Sequence, residues 1–141
     1  MLSGFTPLSR GRQVATVLGL VYSVLGTVGF AVSGFDGFAA PRGDTLTIFE
    51  VNPLQNLIHL ALGWWLVKAG FAGDAQGRRA AWSAVAVLTL LGVAGLTLFR
   101  SHPNLNVINA NLAVSITQLV SAAAAAASLG ASVRTGRAGT G

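Results

Sequence analysis

The chain has 141 residues, of which 52% are apolar and only 9% are charged, and its mean hydropathy is +0.65. A soluble domain carries about 25% charged residues, so this chain has too few to cover a folded surface in water. A formal net charge of +5 would indicate nucleic acid in a soluble protein. Here the basic residues lie in short segments between apolar runs, where they orient a membrane protein. The composition therefore indicates an integral membrane protein that contacts lipid and has no nucleic-acid partner.

Four apolar runs are candidates for membrane spans, since a spanning helix needs about 20 mostly apolar residues. The second run is interrupted by His59 and Lys68, and residues 121–128 of the fourth are nearly all alanine. We predict an all-α fold, an integral membrane four-helix bundle that forms a single domain. The predicted spans are at about 14–33, 54–72, 80–100 and 111–133.

The basic residues concentrate at one end of these spans. That end carries Arg10, Arg12, Lys68, Arg78, Arg79, Arg134 and Arg137. The opposite end has only Arg42 and Arg100, together with Asp36, Asp44 and Glu50. The positive-inside rule therefore predicts a multi-pass protein of the cytoplasmic membrane with both termini in the cytoplasm. The abundance of Arg, Ala, Gly and Val is typical of a GC-rich bacterial coding sequence.

The predicted connections differ in length. Residues 34–51 form a long outer loop, in which residues 45–49 alternate between polar and apolar. Such alternation is compatible with a short strand or with a segment that lies at the membrane interface. Residues 101–108 form a second outer loop. The small, polar residues 134–141 predict a disordered cytoplasmic tail.

The two halves of the sequence resemble each other. Leu25-Gly26-Thr27-Val28-Gly29 in the first span matches Leu91-Gly92-Val93-Ala94-Gly95 in the third, and Asn52, Asn56, His59 and Leu60 match Asn111, Ser115, Gln118 and Leu119. Each half contains two spans, so both halves have the same orientation in the membrane. We therefore predict two helical hairpins that form a parallel repeat about an axis along the membrane normal.

A stripe of polar residues opens the second span. Asn52 followed by Pro53 predicts a helix start, because an Asn side chain caps free amide groups and Pro is tolerated at the first helical position. Asn52, Asn56, His59 and Gly63 then fall at i, i+4, i+7 and i+11, with Gln55 at the edge of that face. Asn111, Ser115, Gln118 and Ala122 repeat this spacing in the fourth span.

Two interpretations of the stripes remain open. In the functional one, they face each other and line a small polar pocket that opens outward between spans two and four, since polar groups within spans mark functional sites. In the structural one, their side chains form interhelical hydrogen bonds worth roughly 0.6–2 kcal/mol each. The structural interpretation is favoured because no carboxylate or second histidine joins the stripes. The small residues Gly19, Ser23 and Gly26 can likewise form a dimer face or, as favoured here, a close contact within the chain.

Several kinds of chemistry have no support in this sequence. No Asp or Glu lies inside a span, which disfavours a proton pump or a cation carrier. A haem within the bilayer would need paired histidines, and His102 lies in an outer loop. No phosphate loop, nucleophile elbow or zinc-helix motif occurs. We predict no catalytic residue, no metal site and no cofactor.

The segment NPLQNLIHLALG, residues 52–63, resembles the signature of a bacterial membrane-protein family, the domain of unknown function DUF4383. Members look like four-span proteins, with an Asn-Pro-x-x-Asn-x-x-His-Leu segment opening span two and a related segment opening span four. In this chain the first copy is intact, apart from Gln55 where His is expected. In the second copy Ser115 and Gln118 replace Asn and His. The resemblance covers about residues 10–133 and implies the four-span topology and the repeat, but no activity.

These observations leave three functional hypotheses. The first is a non-enzymatic scaffold or accessory subunit that contacts other membrane proteins or forms a homo-oligomer. The second is a small-molecule or lipid binder or carrier that uses the polar pocket of Asn52, Gln55, Asn56, His59, Asn111, Ser115 and Gln118. The third, a membrane enzyme or an electron carrier using His59, is the least supported because the chemistry is so sparse.

Overall fold

The computed structural model describes residues 7–40, 44–46 and 48–138. Four long helices make up most of this part of the chain: α1 (Arg10–Ser33), α2 (Pro53–Ala72), α3 (Asp74–Leu96) and α5 (Leu112–Ala138). A one-turn helix, α4 (Leu98–Ser101), and a 3-10 turn (Pro103–Leu105) connect α3 to α5, so that α4 lies mostly within the predicted third span. The predicted all-α class is confirmed.

Within the described residues, three helical segments are long and apolar enough to cross a membrane. These segments are Arg10–Ser33, Asp74–Ser101 and Leu112–Ala131. They identify the chain as a membrane protein and correspond to the first, third and fourth predicted spans. Helix α2 covers the second predicted span but is not among them, since Gln55, Asn56 and His59 make its composition more polar. Whether α2 crosses the membrane therefore has to be judged from which of its side chains are buried and which are exposed.

Helix α2 begins where the sequence predicts. The side-chain oxygen of Asn52 accepts a hydrogen bond from the backbone N–H of Gln55 at 2.8 Å, and Pro53 occupies the first turn. This cap satisfies an amide group that has no partner within the helix. Asn111 acts in the same way at the start of α5, where its side-chain oxygen accepts from the N–H of Val114 at 3.1 Å. The two halves of the chain thus start their second long helix with the same cap.

A single residue, Gly73, separates α2 from α3. Its φ of 137° and ψ of 174° lie in a region that favours glycine. The turn is held against the start of α1, where the Nε of Arg12 donates to the carbonyl oxygen of Gly70 at 2.8 Å. Ser9 donates to the Asp74 carboxylate at 2.9 Å, and Arg12 lies 3.8 Å from the same carboxylate. Polar contacts therefore gather α1, α2 and α3 at this end of the protein.

The helices pack in a defined order. Helix α1 packs most extensively against α2, and α3 against α5, while α1 and α3 also pack against each other. The contact between α1 and α5 is much less extensive, and in the described part of the chain α2 and α5 do not pack closely. The core between the helices is built largely from small side chains, such as the fully buried Ala15, Ala81 and Ala84. Small residues let helix backbones approach closely, which a membrane bundle needs for packing.

The glycines of α1 and α3 make equivalent contacts. A Cβ on Gly26 would lie 2.7 Å from the carbonyl oxygen of Asn56, against Leu60. A Cβ on Gly92 would lie 2.9 Å from the carbonyl oxygen of Ser115, against Leu119. Gly19 is likewise pressed against Gly63 and Val67 of α2. These glycines therefore serve contacts within the chain, as predicted, and α1 meets α2 in the way that α3 meets α5.

The long segment between α1 and α2 contains a small β-hairpin. Strands β1 (Asp44–Leu46) and β2 (Phe49–Val51) pair antiparallel, with Thr45 opposite Glu50. The sequence allowed residues 45–49 to form either a short strand or a segment at the membrane interface. The structure has a short strand at each end of this segment. The hairpin lies against α1 and α5 and covers one end of the bundle. Residues 41–43 and 47 of the predicted loop, including Arg42, lie outside the described residues.

The chain end differs from the expectation. Helix α5 continues to Ala138, so residues 134–138 are helical where the sequence predicts the start of a disordered tail. Extending an existing helix adds a hydrogen bond for each residue that is fixed, so helices propagate beyond their last packed turn. Residues 139–141 of the predicted tail lie outside the described residues.

Candidate functional site

The two capping asparagines also connect the halves of the protein. The Nδ2 of Asn52 donates to the carbonyl oxygen of Ala40 at 2.8 Å and to that of Val107, before α5, at 3.0 Å. The Nδ2 of Asn111 donates to the carbonyl oxygen of Glu50, before α2, at 2.7 Å. Each asparagine therefore caps its own helix and binds the loop that precedes the other. Both therefore have a structural role, and Asn111 also borders a separate cavity between α3 and the segment before α5.

Asn56 and Ser115 point into helix–helix contacts. The Nδ2 of Asn56 donates to the hydroxyl of Ser33 in α1 at 2.9 Å, and its side-chain oxygen lies beside Gly29. The hydroxyl of Ser115 donates to the carbonyl oxygen of Asn111 at 2.8 Å and lies beside Gly95 of α3. Both side chains are fully buried. They occupy the same place in the two helical hairpins and do not form a shared pocket.

The remaining stripe residues line a cavity of about 300 Å³ near the hairpin end of the bundle. Gln55 and His59 reach it from α2, and Gln118 reaches it from α5. The cavity lies where α5 packs only loosely against α1 and does not pack closely against α2. Its lining consists of Tyr22, Leu25, Val28, Phe49, Val51, Gln55, His59, Val114, Thr117 and Gln118.

His59 packs against Tyr22 across the interface of α2 with α1. The two ring centroids are 5.2 Å apart, and the rings meet edge to face at 73°. His59 is 7% exposed and Tyr22 is 1% exposed, so this ring pair is part of the interior. The structural interpretation of the stripes predicts instead an interhelical hydrogen bond for His59. In the described part of the chain no hydrogen bond joins His59 to Gln118, Ser115 or Asn111, and its ring packs against Tyr22 instead.

Three buried side chains in the cavity wall have polar atoms without a hydrogen-bond partner in the described protein: the hydroxyl of Tyr22 and the amides of Gln55 and Gln118. Neither Nε2 nor Oε1 of Gln55 is bonded, and neither is Oε1 of Gln118. Gln55 is 3% exposed and Gln118 is 4% exposed. An unsatisfied buried polar group costs about 1–3 kcal/mol, so native proteins rarely leave several together. The cavity therefore offers a free N–H donor and free carbonyl acceptors in an apolar surrounding.

The cavity wall contains no charged side chain among the residues that line it. Amide groups can donate and accept hydrogen bonds but carry no net charge. No group of three His, Cys, Asp or Glu side chains that could hold a metal ion occurs in the part of the chain that the structure describes. This arrangement is chemically suited to an uncharged molecule with a hydrogen-bonding group and an apolar body.

The cavity opens sideways. The side chains of Phe49 and Val51 in the hairpin cover its outer end, and Val51 is 7% exposed. The most exposed side chain of the wall is Val28 on α1, which is 42% exposed. The sequence predicted a pocket that opens outward. The hairpin changes this arrangement, because it covers the end of the bundle and leaves access along the flank of α1.

The sequence therefore identified part of this wall. Gln55, His59 and Gln118 lie together, whereas Asn52, Asn56, Asn111 and Ser115 do not line the cavity. Tyr22 and Thr117 were missed as wall residues. A signal for Tyr22 was present, since it is the single tyrosine of the chain and lies in the middle of an apolar run. A buried tyrosine usually finds a hydrogen-bond partner for its hydroxyl group, whereas the hydroxyl of Tyr22 lies near Ser121 of α5 without a hydrogen bond in the described protein.

One comparison with known proteins gives a match. The model of a family described as a domain of unknown function (DUF4383) matches residues 12–131. This range includes most of α1, all of α2 and α3, and every residue of the cavity wall. Comparisons with curated proteins and with solved structures give no match.

Proposed function

Starting from the fact that the chain belongs to the DUF4383 family, we propose that it is a four-span protein of the cytoplasmic membrane that binds a small uncharged molecule. The binding site is the cavity between α1, α2 and α5. The family has no activity to transfer, so the proposal rests on the geometry of this chain. The observation that carries it is the pair of buried amides, Gln55 and Gln118, with unpartnered atoms in a largely apolar cavity.

The burial of its side chains supports α2 as the second of four membrane spans. Its polar residues Gln55, Asn56 and His59 are buried against neighbouring helices. Its exposed large side chains are apolar: Leu57, Trp64, Trp65 and Phe71 are 48%, 66%, 45% and 68% exposed. A helix of 20 residues is about 30 Å long, which matches the hydrocarbon core. Lys68 lies near the end of α2 with its ammonium group 5.9 Å from the ring centre of Trp64, as expected for a side chain that reaches the interface.

The charge distribution supports the proposed orientation. Arg10, Arg12, Arg78 and Arg79 lie where α1 begins and where α2 turns into α3, while Arg100 lies at the opposite end in α4. Basic residues prefer the cytoplasmic side. With α2 as a span, both ends of the chain are cytoplasmic and the hairpin of residues 44–51 is outside.

The equivalent helix contacts support a parallel two-hairpin repeat. The contacts of Gly26 with Asn56 and Leu60 recur for Gly92 with Ser115 and Leu119, and the caps of Asn52 and Asn111 recur at the same places. Under the proposed repeat, a rotation that exchanges α1 with α3 and α2 with α5 would relate the two sets of contacts. Under this repeat, His59 is equivalent to Gln118 and Gln55 to Val114, so the two halves differ at the cavity wall.

The physical argument for binding concerns hydrogen bonds. In the apolar interior, free amide groups of Gln55 and Gln118 are unfavourable, and a polar partner would relieve this cost. A scaffold or accessory subunit has no need for such groups in an internal cavity. The scaffold hypothesis therefore has less support than binding, and we propose a non-enzymatic binder or carrier.

The experiment uses two matched variants of α1. Val28 lines the cavity and Val24 does not, although both are exposed and lie one helical turn apart. We expect a small uncharged molecule to co-purify with the wild-type chain in mild detergent and to be detected by mass spectrometry. Val28→Trp should fill the cavity entrance and remove that molecule, and Val24→Trp should retain it. Equal retention by both variants would contradict the proposed site.

A further inference from the structure

The alanine-rich part of α5 forms the wall of a second cavity. This cavity is about 270 Å³ and lies between α1 and α5, where Ser121, Ala124, Ala125 and Ser128 face Leu18 and its neighbours on α1. The run of small side chains has two sides. Ala125 and other buried residues pack in the core, while Ala124 is exposed. Because the side chains that face α1 are so short, α1 and α5 leave an apolar groove between them.

This groove lies in line with the cavity of Gln55 and Gln118 along α1 and α5. On α1, Leu18 of the groove lies one helical turn before Tyr22 of the cavity. On α5, Ser121 of the groove lies one turn after Gln118. Tyr22, a wall residue of the cavity, lies close to Ser121, a wall residue of the groove. The loose contact between α1 and α5 therefore extends along most of the length of both helices.

We propose that this groove holds the hydrocarbon chain of a neutral single-chain lipid whose uncharged, hydroxyl-bearing head binds Gln55 and Gln118. This inference rests on the proposed function and names its ligand. Residues 114–128 of α5 correspond to about 21 Å along a helix. One leaflet of the hydrocarbon core is about 15 Å, half of about 30 Å. The groove is thus long enough for one lipid chain that lies along the helices.

The chemistry of the head group follows from the unpartnered atoms. Gln55 presents both a free donor and a free acceptor, and Gln118 presents a free acceptor. Both side chains are more than nine-tenths buried and line the cavity. A hydroxyl group donates and accepts, so it satisfies both kinds of atom. A phosphate or carboxylate would need a cation, and no charged side chain lines the wall.

The test uses 1-monooleoylglycerol as the probe and native mass spectrometry of the purified full chain as the measurement. We expect one bound molecule. Ala124→Leu should fill the groove and weaken binding about tenfold, a change of about 1.4 kcal/mol. Ala123→Leu is the control, since Ala123 is also exposed but does not line the groove. Should Ala124→Leu fail to fold by circular dichroism, Ser128→Leu fills the same groove further along α5.

Three further probes separate the parts of the proposal. Monobutyrylglycerol has the same head and a short chain, so Ala124→Leu should not change its binding, whereas Gln118→Leu should abolish it. Oleic acid and phosphatidylglycerol, with charged heads, should bind at least about tenfold more weakly than monooleoylglycerol. If Ala124→Leu and Ala123→Leu bind monooleoylglycerol alike, or if a charged lipid displaces it, the lipid proposal is overturned. If Gln118→Leu changes the binding of neither glycerol ester, the proposed function itself is wrong.

Discussion

The ring of His59 meets the ring of Tyr22 edge to face, with the centroids 5.2 Å apart. This contact joins α2 to α1 in the middle of the buried interface and forms one wall of the cavity. It changes the expectation for His59, because a side chain held by an aromatic contact responds differently to substitution from one held by a hydrogen bond. The first prediction follows from that difference.

We predict that His59→Phe is tolerated better than His59→Gln. Phe retains a ring against Tyr22, whereas Gln retains only hydrogen-bonding capacity, and an aromatic pair contributes about 0.5–1.5 kcal/mol beyond its buried area. The measurement is the free energy of unfolding in mixed detergent micelles for both variants. A more stable Gln variant would indicate that a hydrogen bond of His59 matters more than its ring.

The second prediction concerns the cost of the free amide in the cavity. Gln118→Leu removes a buried acceptor that has no partner in the described protein. We expect the delipidated variant to be more stable than the wild type by about 1 kcal/mol, since an unsatisfied polar group is replaced by an apolar one. Thermal unfolding with and without monooleoylglycerol tests this, and the stabilising effect of the lipid should be lost in the variant. A clear loss of stability in the delipidated protein would mean that Gln118 has a partner within the chain.

The third prediction concerns the close helix contacts. Gly26→Ala and Gly92→Ala would each place a Cβ within 3 Å of the adjacent helix, so each should destabilise the fold by about 1–3 kcal/mol through overpacking. Gly130→Ala is the matched control. A Cβ there meets nothing within 4 Å, and Ala in a helix interior is favoured over Gly by about 0.5–1 kcal/mol. Equal free energies of unfolding for all three variants would contradict the close helix contacts assigned to Gly26 and Gly92.

The fourth prediction tests the orientation and the span count. The chain has no cysteine, so single cysteines can be introduced without background labelling. Asp36→Cys, in the turn after α1, should react with a membrane-impermeant maleimide on intact cells. Gln76→Cys, at the start of α3, should react only after permeabilisation. If both residues label from the same side of the membrane, α2 does not cross it, and the proposed topology is wrong.

Local features of the sequence were sufficient for the class, the helices and their starting points. Apolar runs and sparse charge predicted helices in a membrane because lipid offers the backbone no hydrogen-bond partners. Asn52 and Pro53 predicted the start of α2, and the structure has this cap. The glycines of α1 predicted close contacts within the chain, and they lie against α2. Each of these inferences depends on residues within a few turns of one another.

The site depended on the tertiary structure. Helical spacing placed Asn56 and His59 on one face of α2, but Asn56 binds Ser33 and His59 lines the cavity. A periodic pattern gives the direction of a side chain around its own helix, and the neighbouring helix found in that direction is decided by packing. Here α2 packs on α1 and not on α5, so the stripes of the two helices are divided between helix contacts and a cavity that neither stripe encloses alone.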